Sequence, residues 1–394
     1  MALLERIRAR RWWLTAAARA ELRRDRAGLP SDDPGPMRAT VAAVKWLGRA
    51  QDYSATADGG VARHYSLLTG WGSSYPETTG YIVPTLLAFS NATGSTEARQ
   101  RARRMLDWLT SIQFDSGAFQ GGTVDARPVV PVTFNTGQIV LGLAAGAAAF
   151  GAPYDDAMRR AADWLVATQD ADGCWRRYPT PFAAPGEKVY ETHVAWGLLE
   201  AARVTPSRGY ENAALANIGW ALTHQAANGW FRHCCLTDVE RPLTHTLGYA
   251  LRGIVEGYRY SHDQRLLEAA RRAADGLLTA VRPDGFLPGR LRADWSAAVD
   301  WSCLTGSVQI GCCYFLLYDE TGERRYRDAA LALNRFVRRS VRLDAPPEIH
   351  GGVKGSFPVS GPYGAYEYLN WAAMFFVDAM QMEINAQAAA GDAV

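Results

Sequence analysis

The sequence predicts an all-α protein, a single (α/α)6 barrel or toroid built from six helical hairpins. Three observations carry this prediction: a largely aromatic position recurs at intervals of 56 to 62 residues, a glycine turn follows most of its copies, and an apolar segment follows each turn. Internal repeats of this length are typical of helical hairpins that stack against one another. The recurring positions are Trp46, Trp108, Trp164, Trp220, Gly276 and Phe336.

The turn inside the hairpins has a recognisable pattern. In the four middle copies a glutamine, or valine in the fifth copy, stands five residues after the recurring position, and a glycine follows four residues later. An aromatic residue comes within two positions of each glycine. Glycine after a small polar residue is typical of a helix end that needs a positive φ angle. These glycines are Gly117, Gly173, Gly229 and Gly285.

The two helices of a hairpin differ in their hydrophobic pattern. MRRAADWLVAT places apolar residues three and four apart with arginine on the other face, which predicts an outer helix. TGQIVLGLAAGAAAF carries no charge, which predicts a helix buried on all sides. Six such hairpins predict a closed double ring. An open solenoid is the alternative, but its end repeats are usually polar, unlike the apolar last hairpin.

Composition and charge exclude several classes of protein. The 394 residues are 48% hydrophobic and 21% charged, which excludes wholesale disorder. A net charge of +2 gives no electrostatic basis for nucleic acid as a partner. The six cysteines form no C-x-x-C motif, and no secretory signal or apolar stretch of about 20 residues is present. We therefore expect a cytoplasmic protein without a metal or other cofactor.

Residues 1–35 are predicted to form a basic helix and linker, and residues 36–394 the toroid domain. The first 30 residues hold eight arginines against three acids, with Trp12 and Trp13 among the arginines. This pattern predicts either a peripheral contact of residues 1–30 with an anionic membrane surface or an amphipathic helix packed against the main body.

The segment ADWLVATQDADGCW resembles the Q-x3-G-x-W repeat of the terpenoid cyclase and protein prenyltransferase toroids. The same architecture occurs in six-hairpin glycosidases, lyases and uronyl epimerases, and the resemblance covers nearly all of residues 38–384. GWGSSYPETTGYIVPTLL, DWSCLTGSVQ and GGVKGSFPVSGPYGAYEYLNWAA also resemble uncharacterised toroid proteins of bacterial polysaccharide biosynthesis clusters. The resemblance implies the toroid fold and a carbohydrate substrate, whereas fold analogy alone leaves the chemistry open.

Isoprenoid and zinc chemistry are weaker alternatives. No D-x-D-D acid of a proton-initiated cyclase is present. Asp300 and Cys303 stand one residue too far apart for the Asp-x-Cys pair of the zinc prenyltransferases, and His233, Cys234 and Cys235 lack the context of a lanthionine-type cyclase. A zinc-dependent or isoprenoid enzyme therefore stays an alternative without a matching motif.

A sugar-processing enzyme fits the residues that a closed ring would gather at one mouth. Loops that lead into the inner helices, and the first turns of those helices, carry acidic, polar and aromatic side chains. The candidate catalytic residues are Glu77, Glu191, Asp300, His245 and Glu367. The candidate substrate-binding residues are Trp71, Tyr75, Asn135, His193, Arg241, Trp301, Lys354, Tyr366 and Asn370.

Glycoside hydrolysis by two carboxyl groups is the first hypothesis for this set. One carboxyl protonates the leaving oxygen while a second activates water or attacks, and aromatic rings stack on the sugar. Asp300, between Val299 and Trp301, is the candidate acid and Glu77 the candidate base. Glu77, Glu191 and Glu367 would also be explained as acids favoured by a helix amino terminus.

Two further alternatives stay open. A uronate lyase or C5-epimerase would use His245 or a tyrosine for proton abstraction, with Asn135 and Arg241 holding the carboxylate. A non-catalytic toroid would bind a glycan or a protein in the same funnel. In either case the Gly/Pro-rich segment 346–364 is predicted to be a lid over the mouth, with Lys354 facing an anionic substrate.

Overall fold

The computed structural model describes residues 13–206 and 209–390 and shows a ring of helical hairpins. A short helix, α1 (Ala16–Arg26), precedes the ring. Six hairpins follow within the described residues, each with an outer and then an inner helix. They are α2 (Pro36–Asp52) and α3 (Pro76–Thr93), α4 (Thr96–Ser111) and α5 (Thr133–Phe150), α6 (Tyr154–Thr168) and α7 (Thr192–Val204), α8 (Tyr210–Leu222) and α9 (Thr244–Ser261), α10 (Gln264–Ala280) and α11 (Leu304–Thr321), and α12 (Arg324–Ser340) and α13 (Asn370–Ala390).

The ring is closed. Each inner helix packs against the next, and α13 packs against both α3 and α2, so that the last hairpin returns to the first. Trp46 Nε1 in α2 donates a 2.8 Å hydrogen bond to the carbonyl of Glu348, and Asn370 Nδ2 in α13 donates one of 2.9 Å to the carbonyl of Ala62. The prediction of an all-α, closed (α/α)6 toroid is confirmed, and the open solenoid is excluded.

The glutamine and glycine of the repeat join each hairpin to the next outer helix. Gln169 Nε2, just after α6, donates to the carbonyls of Gly173 at 3.0 Å and of Ala213 at 2.8 Å. The glutamines just after α4 and α8 make the equivalent pairs of bonds. Gly173 has a φ of 92°, and a Cβ there would lie 2.5 Å from the carbonyl oxygen of Ala216. Both the backbone angle and the close neighbouring helix therefore require glycine.

Short strands order the loops at one end of the ring. They are β1 (His64–Ser66), β2 (Gly70–Trp71), β3 (Ser302–Cys303), β4 (Ser356–Phe357) and β5 (Glu367–Leu369). An antiparallel sheet of order β2-β1-β5 joins the loops of the first and last hairpins, and β3 pairs with β4. This sheet fixes the chain that leads into α13.

The described part of the basic amino-terminal segment packs on the ring. Ala18 and Leu22 of α1 are buried, and Lys354 Nζ donates a 2.8 Å hydrogen bond to Glu21 and a second bond to Asp25. For these residues the structure agrees with the packed-helix alternative, whereas residues 1–12 lie outside the described residues. Among the described helices, none is long and apolar enough to span a membrane.

The inner ring is hollow at both ends. Because all hairpins have the same orientation, the inner helices run parallel and their amino termini share one end. There the first turns of α3, α5, α9 and α13, with the preceding loops, line a cavity of about 480 Å³, the upper cavity. The later turns of the inner helices line a second cavity of about 820 Å³ at the opposite end, the lower cavity.

Candidate active site

Glu77 is the carboxyl group of the upper cavity. It lies in the first turn of α3 and is 7% exposed. Tyr75, the residue before α3, donates a 2.9 Å hydrogen bond from its hydroxyl to Glu77 Oε2. Burial raises the pKa of Glu77 to about 7, against the opposing effects of this hydrogen bond and of the Arg63 charge. Glu77 is therefore able to gain and lose a proton near neutral pH.

His245, in the first turn of α9, supplies a neutral imidazole to the same cavity. Its Nδ1 lies 2.6 Å from Oε1 of Gln309, which assigns the proton to Nδ1 and leaves Nε2 as an acceptor. Burial lowers the pKa of His245 to about 4, although the Gln309 bond opposes the shift. The ring also packs against Tyr249, with 4.4 Å between ring centroids. Glu77, when protonated, can thus donate a proton in the same cavity in which His245 can accept one.

Arg63 brings a positive charge to the cavity wall. Its Nη1 lies 3.0 Å from Glu367 Oε2, and its guanidinium lies 5.2 Å from the centroid of the Trp371 ring. Glu367, in β5, is thus held behind Arg63. An arginine at this place is suited to an anionic or hydroxyl-rich substrate, because its fork of N–H donors matches paired oxygen acceptors.

Aromatic rings form most of the remaining wall. Tyr363 packs against His245 at 5.3 Å, and Trp371 packs against Tyr75 at 6.0 Å. Trp371 Nε1 donates a 2.8 Å hydrogen bond to the Tyr363 hydroxyl, which fixes both rings. Flat rings with polar edges are the usual contact surface for sugar rings. The other aromatic lining residues are Tyr81, Phe134, Phe182, Tyr190 and Tyr249.

Four of the residues expected from the sequence line the upper cavity: Tyr75, Glu77, Asn135 and His245. All four belong to the first turns of inner helices or to the residue before one. Asn135 is buried, and its Nδ2 has no hydrogen-bond partner within the described part of the chain. Buried amides without a partner are rare in folded proteins, so a ligand oxygen in the cavity would be a suitable partner for this nitrogen.

Glu191 lies beside the upper cavity rather than in its wall. It lines an adjoining pocket of about 430 Å³ that shares Thr180 and Tyr190 with the upper cavity. Burial raises the pKa of Glu191 to about 8, opposed by the charges of Lys188 and Arg176. Its Oε2 has no hydrogen-bond partner among the described residues.

Three charged residues expected at the mouth lie elsewhere. Asp300 is exposed, so the apolar surroundings expected for an acid are absent. Arg241 is exposed and forms a 2.9 Å ion pair with Asp238. Lys354 is 1% exposed and pairs with acids of α1, so it cannot face a substrate in the upper cavity. The segment 346–364 contributes Tyr363 to the wall but is otherwise packed between β3 and α1.

The remaining expected residues lie outside the upper cavity. Trp71 packs among Trp46, Tyr53 and Tyr65 outside the cavity. The others are distributed as follows: Trp301 is buried behind Tyr363, Tyr366 packs against Trp13, Asn370 bonds the loop before β1, and His193 lines the lower cavity.

Sequence reasoning missed Arg63, Tyr81, Tyr249 and Trp371, all of which line the upper cavity. A signal existed for the two tyrosines. Tyr81 follows Glu77, and Tyr249 follows His245, by four residues on the same helix, and such residues lie on one helix face. Arg63 lies in a loop and belongs to no motif that repeats along the chain.

The described residues contain no group of three or more histidine, cysteine, aspartate or glutamate side chains placed to hold a metal ion. The cysteines are all buried. Burial raises the pKa of Cys303 to about 12, so this thiol stays protonated at neutral pH.

Comparisons with known proteins agree with the architecture. Residues 76–255 match the model of the squalene-hopene cyclase C-terminal domain. The structure is similar to that of an unsaturated glucuronyl hydrolase specific for heparin, with a TM-score of 0.71 and 16% identity over 90% of this chain and 98% of that chain. The chain has an α/α-toroid fold. No curated protein matches the sequence.

Two sugar-converting toroids are similar to the same extent. A D-mannose isomerase gives a TM-score of 0.70 and 12% identity over 91% of this chain and 99% of that chain. Cellobiose 2-epimerase from Bacillus thermoamylovorans B4167 gives a TM-score of 0.69 and 11% identity over 86% of this chain and 96% of that chain. At these identities the likeness concerns the fold.

Proposed function

We propose that this protein is a carbohydrate-active enzyme that acts on a glycosidic or uronate unit in the upper cavity, with Glu77 as the proton donor. The observation that carries the proposal is a buried carboxyl group, with a pKa of about 7, in a cavity walled by tyrosine and tryptophan. A volume of about 480 Å³ is suited to a sugar of one or two rings. Three structural neighbours, by their names, act on glucuronyl units, mannose and cellobiose.

The surroundings of Glu77 favour a substrate that carries negative charge. Amino termini of parallel inner helices meet at this end, and each favours an anion in its first turn. Arg63 adds a guanidinium to the wall. A uronate carboxylate near Arg63 would therefore be stabilised, while the neutral Glu77 carboxyl donates a proton to a leaving oxygen.

Hydrolysis needs a group that activates water, and in the upper cavity Glu77 is the one carboxyl group among the described lining residues. His245 is the available base, because its Nε2 accepts while Nδ1 is bonded to Gln309. Glu367 lies just outside the wall and is a positioning residue in this proposal through its 3.0 Å contact with Arg63, whereas Glu191 lies in the adjoining pocket. The carboxyl–imidazole pair replaces the pair of carboxylates expected from the sequence.

Proton transfer at a sugar carbon, by an epimerase or lyase, is the second candidate. It is favoured by one observation, the neutral imidazole of His245 packed between Tyr249 and Tyr363. Such a reaction takes a proton from carbon with one group and returns a proton with another. It needs no water, whereas hydrolysis does.

Product analysis separates these functions. Purified protein is incubated with unsaturated uronyl disaccharides, saturated uronides, cellobiose and mannose, and products are identified by mass spectrometry and NMR in deuterated water. Hydrolysis splits the substrate and adds one water across the broken bond. Epimerisation leaves the substrate in one piece and replaces a carbon-bound hydrogen by deuterium. Turnover that disappears in Glu77→Gln supports the proposal. Binding without turnover of every substrate contradicts it and supports a glycan-binding toroid.

Location is proposed on separate grounds. All six cysteines are free and buried, as in proteins of a reducing compartment. We propose that the enzyme works in the cytoplasm on a carbohydrate made for a surface polysaccharide or a related glycoconjugate. Labelling of the thiols in protein recovered from cell fractions tests the compartment.

A further inference from the structure

The lower cavity is separate from the proposed catalytic site. It is lined by the later turns of the inner helices, and Tyr81 is the one described residue that lines both cavities. A partition of rings divides them: Tyr81 packs against Phe375 at 5.5 Å, and Tyr249 packs against His193 at 4.5 Å. A molecule in the lower cavity would therefore not touch Glu77.

Arg252, in the middle of α9, is a buried cation in the wall of the lower cavity. It is 9% exposed, and its Nε donates a 2.8 Å hydrogen bond to Glu256 Oε1. Its guanidinium lies 4.2 Å from the centroid of the Trp196 ring, which fixes the plane of the group. Among the described residues, Nη1 and Nη2 have no hydrogen-bond partner.

Glu256 does not fully neutralise this charge. Its second oxygen, Oε2, accepts a 3.1 Å hydrogen bond from Arg259, so one carboxylate is shared by two arginines. Arg259 also pairs with Glu320 at 3.3 Å. Asp378, another acid of the wall, is bonded to Thr85 at 2.8 Å and acts on Arg252 through its charge, without a hydrogen bond to it. The guanidinium therefore keeps donors that water or a ligand must satisfy.

We propose that the lower cavity binds a small organic oxyanion, a carboxylate or phosphate monoester of sugar size, through the terminal N–H groups of Arg252. A planar guanidinium fork matches two oxygens of such a group. A volume of about 820 Å³ holds a molecule of this size. The unpartnered Nε2 of His193, in the same wall, is suited to accept a hydrogen bond from a ligand hydroxyl.

The carboxyl termini of the inner helices, which lie at the end of the ring where the lower cavity opens, do not prevent an anion from binding near Arg252. Carboxyl termini of helices favour cations, but the effect is confined to about the last turn. Arg252 stands more than two turns before Ser261, the end of α9. Charges at the rim are paired, as in Arg203 with Glu200 at 3.4 Å. The described wall holds four acids against three arginines, so an anion would be recognised through the free N–H donors of Arg252 and not through a net positive charge.

Calorimetric titration of the full protein tests the proposal. Glucuronate and glucose 6-phosphate are the anionic probes, and glucose is the neutral probe of similar size. The variants are Arg252→Lys, which keeps the charge without the fork, and Arg252→Met, with thermal unfolding as the check of folding. Arg203→Gln is the control at the rim, and Arg63→Gln, which removes the guanidinium of the upper cavity, is the control for that cavity.

At least one anion is expected to bind the wild type, with a Kd weakened about tenfold or more in Arg252→Lys, a loss of about 1.4 kcal/mol or more. Arg203→Gln and Arg63→Gln should retain that binding event, and glucose should not produce it. Three results would overturn the proposal: no anion binding at about 10 mM, equal binding of glucose, or binding that Arg252→Lys leaves unchanged. Because only binding is measured, an absence of turnover in the upper cavity does not alter this test.

Discussion

The hydroxyl of Tyr75 donates a 2.9 Å hydrogen bond to Oε2 of Glu77, two residues later in the chain. This bond stabilises the ionised carboxylate, whereas burial stabilises the neutral acid, and burial is the larger effect. The resulting pKa of about 7 allows Glu77 to be protonated before a reaction and to be reprotonated after it. A group of this kind is suited to acid catalysis at neutral pH.

Removal of the Tyr75 hydroxyl should shift the pH profile. Tyr75→Phe deletes a bond that lowers the pKa of Glu77, so that pKa should rise further. If the protonated acid is required, activity falls as pH increases through this pKa, and the falling limb of kcat/KM should move to higher pH. The measurement is kcat/KM between pH 5 and 9 for the wild type and the variant.

Tyr65→Phe is the matched control, because Tyr65 packs against Trp71 outside the upper cavity. Its profile should coincide with that of the wild type. A limb that moves to lower pH in Tyr75→Phe, or that does not move, would show that Glu77 is not the acid.

Glu77→Gln should change how stability depends on pH. The carboxyl of Glu77 has an ordinary pKa of 4.5 in the unfolded chain and about 7 in the folded chain. Between these values the folded state binds more protons, so wild-type stability decreases as pH rises. Glu77→Gln lacks this loss. The free energy of unfolding of the variant minus that of the wild type should therefore increase by an amount on the order of 3 kcal/mol from pH 4 to 8. Urea unfolding at both pH values measures the difference, and parallel pH curves would refute the raised pKa.

His245 and His193 form a natural matched pair. Each is buried, and the Nδ1 of each lies 2.6 Å from a glutamine Oε1, Gln309 for His245 and Gln138 for His193. They differ in the cavity that they line. His245→Gln should therefore lower kcat by about 100-fold, while His193→Gln should leave kcat near the wild-type value. Equal losses would assign both histidines to packing.

Lys354 should matter for stability. Its replacement by methionine leaves Glu21 and Asp25 buried with one fewer positive charge, and loss of one partner from a buried ion pair costs about 3–5 kcal/mol. Lys45→Met, at an exposed position of α2, should cost little. Urea unfolding measures both variants. A kcat/KM that falls in Lys354→Met without a loss of stability would instead place this lysine at the substrate.

Repeat spacing was sufficient to predict the fold. Regular glutamine and glycine positions reflect one contact, the turn against the next outer helix, which every hairpin must make. The same regularity located Tyr75, Glu77, Asn135 and His245, because the first turn of an inner helix must face the ring centre. Periodicity determines which way such residues point.

Loop residues were not predictable in this way. The role of Lys354 depends on Glu21, which stands 333 positions away and has no sequence feature that marks it as a partner. Asp300 precedes β3, where the side chain is free to turn outward, and it does so. The roles of these two residues depend on burial and on long-range pairing, and neither can be predicted from the local sequence.

In the proposed function, the upper cavity holds a carbohydrate against Glu77. A crystal structure of Glu77→Gln soaked with an unsaturated uronyl disaccharide tests it directly. We expect a sugar ring between Tyr363 and Trp371, with its carboxylate near Arg63 and its glycosidic oxygen within hydrogen-bond distance of the side chain at position 77. An upper cavity that stays empty while the disaccharide is bound elsewhere on the protein would contradict it.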